Sequence, residues 1–595
     1  MNACLAMSTS SSTSSLYRIL IADRAYTSWS FENVETDRAI ELEPDFLPAD
    51  FHPATYKLFT KDVLRGLPLQ CEIVHSPVRT MSLHAGVLQL SENRTFGRGN
   101  KRLLYKCIPD EKYLPAFLIP YEIQLGFSKN VANKFVVFKF TSWTDKHPHG
   151  QIVETLGNVD CLEAFYEYQL YCKSLHDSIT RLTQDARTAL NRAPIETYIA
   201  QIREKHDVFE ESSPSDVMIF SIDPPHSLDF DDAVSVMPAT QSTSLTKEWK
   251  VSIYIANVAL WLDELDLWNS LTNRVATIYL PDRRRPMLPT VLSDSLCSLQ
   301  EREDRFAFIC DMVVDEDLGK ITSATFRHGH VRVAKNYRYE EKALLELRDY
   351  QTLFEITQRL DANCKDSHDV VAFWMIETNA RCAEHFTEHK LGIFRAVVFT
   401  PPTQTNGEDE ALTRSLTPEC RRTIQMWNNT TGQYVCFNET SHMKHDVLKK
   451  SAYVHMTSPI RRLVDLLNQM MFLMRFLDVK LSPSASTFLD TWIRKMDFVN
   501  VSMRSIRKVQ NDCHLVCRCT NEPELLEGMH RCVVFDRIER GTGYFNYMVY
   551  MESLNLLSRV RTTKDLRNYD VVQCKLLVFE NEERTKRKIR LSIQD

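Results

Sequence analysis

The stretch Ser221-Ile-Asp-Pro-Pro-His-Ser-Leu-Asp-Phe-Asp-Asp-Ala-Val-Ser-Val236 places four carboxylates, Asp223, Asp229, Asp231 and Asp232, within ten residues and beside two prolines. Like charges at this density repel unless cations neutralise them, and hard oxygen ligands suit magnesium or manganese. In an extended segment Asp229 and Asp231 face one side by the two-residue period, and Asp232 joins them only where the backbone turns. Pro224 and Pro225 help to set that loop. Two ions about 3.5–4 Å apart would activate water and stabilise a leaving oxygen, so phosphodiester hydrolysis is the natural chemistry. The cluster alone is read equally well as a solvated acidic loop or a single structural cation site.

Outward from the cluster, residues 208–525 mix strand-like runs such as WKVSIYIANVALWL with helical patterns such as YEEKALLELRDYQTLFEITQRL, an α+β arrangement. Upstream, 161–207 has helical spacing and reads as a connector. Short strand-like runs and turn signals suit two small OB-type barrels, 56–104 and 105–160, and strands return in a third barrel over 526–595. Residues 1–55 open Ser/Thr-rich and read as a poorly ordered extension. A chain of 595 residues exceeds what one core supports, and no apolar run approaches the roughly 18 residues of a membrane span. The start lacks the basic and apolar leader of a secretory signal, so a cytoplasmic location with reduced cysteines is the default expectation. The net charge of −6 excludes a coat on nucleic acid but not a nuclease with a basic channel.

Three ordered blocks carry a family resemblance. The spaced aspartates match a D-P followed by D-x-D-D, residues 274–308 (RVATIYLPDRRRPMLPTVLSDSLCSLQEREDRFAF) look like a second block, and residues 453–465 (YVHMTSPIRRLVD) like a third. Together they resemble the ribonuclease II (RNB) family, in the layout of its eukaryotic exosome-type branch without the N-terminal endonuclease domain. The resemblance implies a multidomain α+β fold, an RNB catalytic core flanked by two N-terminal cold-shock-like OB barrels and one C-terminal OB barrel. It further implies a monomeric, Mg2+-dependent 3′-to-5′ exoribonuclease, with Mn2+ as a substitute, that releases nucleoside 5′-monophosphates processively from single-stranded RNA. Membrane binding, a stable protein partner and exosome tethering are not expected. Asp223, Asp229, Asp231 and Asp232 become the metal ligands, and Asp229, Asp231 and Arg461 the catalytic group.

By the same resemblance Tyr279 stacks on a terminal base and sets product length, and Tyr339 is a second aromatic near the 3′ end; each is otherwise a packing tyrosine. Ser458 and Pro459 read as N-cap and first residue of a helix, which would place Arg461, and next to it Arg462, at the helix end that attracts phosphate. Arg461 could instead pair with Asp465, four residues on. Arg283 and Arg284, followed by Arg285, would line an RNA path or form a solvated turn. Cys513, His514, Cys517 and Cys519 lack the paired spacing of structural zinc sites.

Three positions depart from the family pattern: Asn257 where relatives carry aspartate, Gln469-Met470 where they carry His-Arg, and Ala372-Phe373 where they carry Glu-Glu. The alternative to the enzyme is a catalytically silent RNB-like regulator that binds RNA, or, without a channel, an unrelated metal hydrolase.

Overall fold

The structure is a computed structural model that describes residues 16–40, 51–65, 72–81, 83–92, 94–99, 101–123, 131–206, 209–210, 217–239, 248–397, 416–438, 443–540, 543–580 and 587–594. The chain divides into two compact units, Met1–His176 with Val578–Lys588, and Asp177–Leu577 with Ile589–Asp595. In the first unit a five-stranded sheet runs in the order Arg38–Ile40, Trp29–Asn33, Leu16–Ile21, Val63–Arg65, Glu72–His75. Strands therefore begin at Leu16, inside the stretch expected to be an unordered extension, of which 1–15 and 41–50 lie outside the described residues. The misreading has a physical cause: alternation within these strands is weak, and the core residues Ile19, Ile21, Phe31 and Phe59 come together only in the folded sheet.

A six-stranded sheet follows, from His84–Leu88 to His149–Asn158, and closes on itself where His84–Leu88 also pairs with Arg102–Pro109. The boundary between these two sheets falls between His75 and His84, and not at residue 104 as the turn signals suggested. Buried Asp62 ties the first sheet to the segment that links the two, accepting from the Phe59 amide at 2.9 Å, Ser76 Oγ at 2.5 Å and Arg79 at 2.7 Å.

The second unit opens with helices Thr180–Leu190 and Ile195–His206. Its centre is a seven-stranded mixed sheet in the order Phe209–Glu210, Lys320–Arg332, Asp304–Asp315, Glu248–Ala256, Asp232–Pro238, Phe220–Asp223, Lys335–Arg338. Val251, Ile253 and Ile255 of the middle strand are fully buried and share a core with Phe308, Met312, Trp374 and Phe386, each such side chain contributing about 1.5–3 kcal/mol. Helices Arg348–Leu360, Ser367–Glu388 and Leu463–Phe476 supply the facing residues. A further five-stranded sheet is built from Met529–Arg540, Tyr544–Met551, Leu556–Thr562, Val571–Glu580 and Arg587–Ile593. Buried Cys519, at the end of helix Met496–Asn521, belongs to that sheet's core.

One buried amide ties the helix Leu463–Phe476 to the loop before it. Asn468 accepts from the Ile393 amide at 2.9 Å and donates to Ile393 O at 2.9 Å and His455 O at 3.0 Å. Asn468→Leu would strand those buried backbone groups, so a loss of about 3 kcal/mol is expected, read as a lower thermal melting midpoint at unchanged secondary structure.

Candidate active site

The two ends of the acidic segment belong to neighbouring strands. Asp223 closes Phe220–Asp223 and Asp232 opens Asp232–Pro238, so the residues between them form a loop at one edge of the sheet. Pro225 and His226 occupy the middle of a turn closed by the Ser227 amide on Pro224 O at 3.3 Å, with His226 at φ 69°. Ser298 then clamps the chain, donating to Leu228 O at 2.8 Å and accepting from the Phe230 amide at 2.9 Å. The backbone turn that brings Asp232 to its neighbours is set by these bonds and by the Ala256 amide on Asp231 O at 2.8 Å.

Asp231 is the most enclosed carboxylate, 3% exposed. Its two oxygens accept from the Ile460 amide at 2.9 Å and from Arg461 Nε at 2.8 Å. Burial nevertheless pushes its pKa to about 7 against the pull of Arg461 and the Ile460 amide, with Asp232 and Asp229 adding to the rise. Asp223 is also pushed to about 7, first by burial and then by Asp231 and Asp229, and its Oδ2 is buried without a hydrogen-bond partner. Asp232 reaches about 7 through burial and the charge of Asp223. Asp229 is held differently, by Arg284 at 2.5 Å, while the other arm of Arg284 binds Asp294.

These carboxylates fit a divalent cation. Buried Asp231 and half-buried Asp223 and Asp232 repel one another, and one oxygen of Asp223 lacks any donor. A hard cation would relieve that repulsion, and magnesium is ordinarily held by only one or two carboxylates with water and substrate phosphate. The arrangement is not a closed cage, because Asp229 and Asp231 both point at arginines. Among the described residues the trios of ligand atoms within 4.8 Å of one another lie elsewhere, at His385, Glu388 and His389 and at Glu340, Asp366 and His368.

Arg461 is not on a helix. The helix starts at Leu463 with Arg462 at the cap position and no side-chain capping bond from it, and Ser458 to Arg462 form a tight turn ahead of it. The expected cap is replaced by Asp465, which accepts from the Ser458 amide at 2.8 Å and from Arg462 at 2.8 Å. Asp465 therefore pairs with Arg462, and Arg461 is freed to reach Asp231. Burial opposes the charge on Arg461, but Asp231, Tyr279 and Asp232 outweigh it and raise its pKa. Its side chain remains 45% exposed, so a face of the guanidinium is open to an anion.

Tyr279 reaches the same place because residues 275–279 pair with the arginine turn: Thr277 N donates to Arg461 O at 3.0 Å and Leu463 N to Val275 O at 2.9 Å. Tyr279 is 38% exposed, and its hydroxyl is raised in pKa by burial and by Asp229 and Asp231, with Arg461 opposing. Tyr339 follows the strand paired with Phe220–Asp223, and its amide donates to Asp223 O at 3.1 Å. One face of its ring is stacked on His368, with centroids 3.7 Å apart and 9° between planes. Of the arginine run, Arg284 is taken up by the two aspartates, Arg285 is buried in a two-armed pair with Asp282, and Arg283 is 70% exposed.

The departures have structural roles. Gln469 is fully buried and donates to Ala256 O at 2.9 Å, bracing the strand end beside Asp231. Asn257 is fully buried with neither side-chain amide atom hydrogen-bonded. Ala372 lies exposed on Ser367–Glu388, while Asn379, two turns on, binds the Met456 amide, Tyr453 and Thr457 and fastens the arginine-bearing loop to that helix. Sequence reasoning missed Ile460, Ser298, Asp294 and His368. Only Asp294 carried a signal, as an acid within reach of an arginine run.

Comparison with known proteins agrees with this layout. The RNB domain matches residues 214–360 and 342–477. Ribonuclease R of Aquifex aeolicus (strain VF5) is 31% identical over 219 residues, 36% of this chain and 29% of that protein, and the chain spans about half or less of the length of the curated relatives it matches. The solved Mycoplasma genitalium RNase R in complex with ribose methylated single-stranded RNA superposes with a TM-score of 0.66 at 15% identity, covering 97% of this chain and 100% of that one. Yeast Ssd1, a pseudonuclease, gives 0.58 at 12% identity over 92% of this chain and 78% of its own. The fold is thus shared by proteins that cut RNA and by one that does not.

Proposed function

We propose, from the match of residues 214–477 to the RNB domain, that this chain is a 3′-to-5′ hydrolytic exoribonuclease that degrades single-stranded RNA processively to nucleoside 5′-monophosphates. The observation that carries the reading is the convergence of buried Asp231 and half-buried Asp223 and Asp232 on a half-exposed Arg461 beside the half-exposed Tyr279. Asp223 and Asp232, with Asp229 and Asp231 completing the set, would hold magnesium, or manganese in its place, and the ion would supply Lewis acidity for the attacking water and the leaving 3′ oxygen. Arg461 orients the scissile phosphate with its open face while Asp231 holds the other. Tyr279 and Tyr339 receive terminal bases by stacking, worth about 1–3 kcal/mol per base without sequence preference. His368 backs Tyr339, so a base reaches that ring on one face only. The three flanking sheets are read as OB-type barrels that grip a single strand.

The similarity to a pseudonuclease and the arginines already seated on Asp229 and Asp231 favour a second reading, a silent regulator that binds RNA without cutting it. A 5′-labelled RNA of about 30 nucleotides, incubated with magnesium or chelator, separates the two, since only the enzyme yields a magnesium-dependent ladder or short end product. RNA bound tightly and left whole in every lane would sink the exonuclease. For the enzyme, Tyr279→Ala is expected to change the length of the final product while the ladder above it is cut at a similar rate, resolved on a sequencing gel.

A further inference from the structure

We propose a transition-metal site, of the class that zinc fills, at the end of the helix Ser367–Glu388, formed by His385, Glu388 and His389. It is independent of the aspartate cluster and of the nuclease reading. The ligand atoms of these three residues lie within 4.8 Å of one another. Histidines four residues apart stand one turn above the other on a single helix face, and Glu388 lies between them in register. Around one zinc ion at bonds of about 2.0–2.2 Å the donors sit roughly 3.4 Å apart, so a small rotation of the exposed Glu388 and His389 side chains closes the set.

Three features prepare the site. His389 Nδ1 lies 2.9 Å from His385 O, and a donated hydrogen bond there leaves Nε2 with its lone pair, the arrangement that orients metal-bound imidazoles generally. The His385 ring is fixed by Phe472, stacked at 5.5 Å, and by Phe476 and Phe326 at 4.5 and 5.7 Å. A cation also suits the carbonyl end of a helix. Nitrogen-rich donors select a borderline ion over magnesium, which takes oxygen ligands.

With three protein ligands the fourth position faces solvent, open to water or to a donor from another molecule. The ion would tie the last helical turn to the reversal that follows it, where Lys390 stands at φ 56°, Gly392 at φ 110° and the Leu391 amide closes on Phe386 O at 3.1 Å. A Cβ on Gly392 would come within 2.9 Å of Phe386, so this reversal is sterically committed and the histidines are held at a fixed place.

The test is calorimetric titration of the full chain with Zn2+, after chelator treatment and in millimolar Mg2+ to occupy oxygen-ligand sites. Wild type is expected to show a binding step that weakens about 10–100-fold in His389→Ala and in Glu388→Gln, with a zinc-dependent rise in melting midpoint that the variants lack. Both substitutions lie on exposed residues, and equal melting of all three proteins without zinc serves as the folding control. Differences from wild type subtract binding by the cysteines. Identical zinc isotherms for wild type and both variants, or no zinc step in wild type, would overturn the proposal.

Discussion

Asp231→Asn is expected to leave the protein folded and its RNA uncut. The amide is nearly isosteric with the carboxylate and still accepts from the Ile460 amide, and it removes a charge whose burial is costly. What it cannot do is offer two anionic oxygens, so the proposed cation site would lose a ligand and Arg461 its charged partner. A fall of about three orders of magnitude in cleavage rate, ~4 kcal/mol of barrier, follows from losing preorganised charge at the reacting phosphate. Single-turnover decay of end-labelled RNA measures it, with filter binding on the same protein. Unchanged binding with lost cleavage assigns Asp231 to chemistry. Cleavage at the wild-type rate would remove the aspartate cluster from the reaction altogether.

The second large effect belongs to Arg461→Ala, which is expected to damage stability and rate together. Asp231 is 3% exposed and would keep only the Ile460 hydrogen bond, leaving an uncompensated carboxylate. Breaking a fully buried pair costs about 3–5 kcal/mol; with Arg461 45% exposed, about 2–3 is the better expectation. Cleavage should fall by about 10²–10³ as well, since the guanidinium is the charged donor that faces solvent beside Tyr279. Arg461→Lys separates the roles: an ammonium restores charge to Asp231 and hence much of the melting temperature, but lacks the planar fork that can hold Asp231, Ser458 and a phosphate at once. A lysine variant as fast as wild type would reduce Arg461 to a counter-ion.

The candidate site was written in local sequence. Four aspartates within one short segment, two prolines beside them, and a Ser-Pro-Ile-Arg-Arg run far downstream name the groups proposed to react without any knowledge of their positions. The α+β character of the core was legible too, because strands such as Glu248–Ala256 and helices such as Arg348–Leu360 carry periods that a linear reading detects. Other features depended on partners distant in the chain. The strands from Leu16 onward have weak alternation and are recognisable only by the sheet they complete. Which arginine faces Asp231 was decided by Asp465, whose grip on Ser458 and Arg462 delays the helix to Leu463 and turns Arg461 outward. The fate of the arginine run was decided by Asp229, Asp294 and Asp282, and the one-sided exposure of Tyr339 by His368. Residue types and short spacings determined the chemistry available to this protein, because charge and donor set are properties of single side chains. Only the tertiary structure decided which groups meet, because a hydrogen bond between residues 229 positions apart leaves no periodic trace in the sequence.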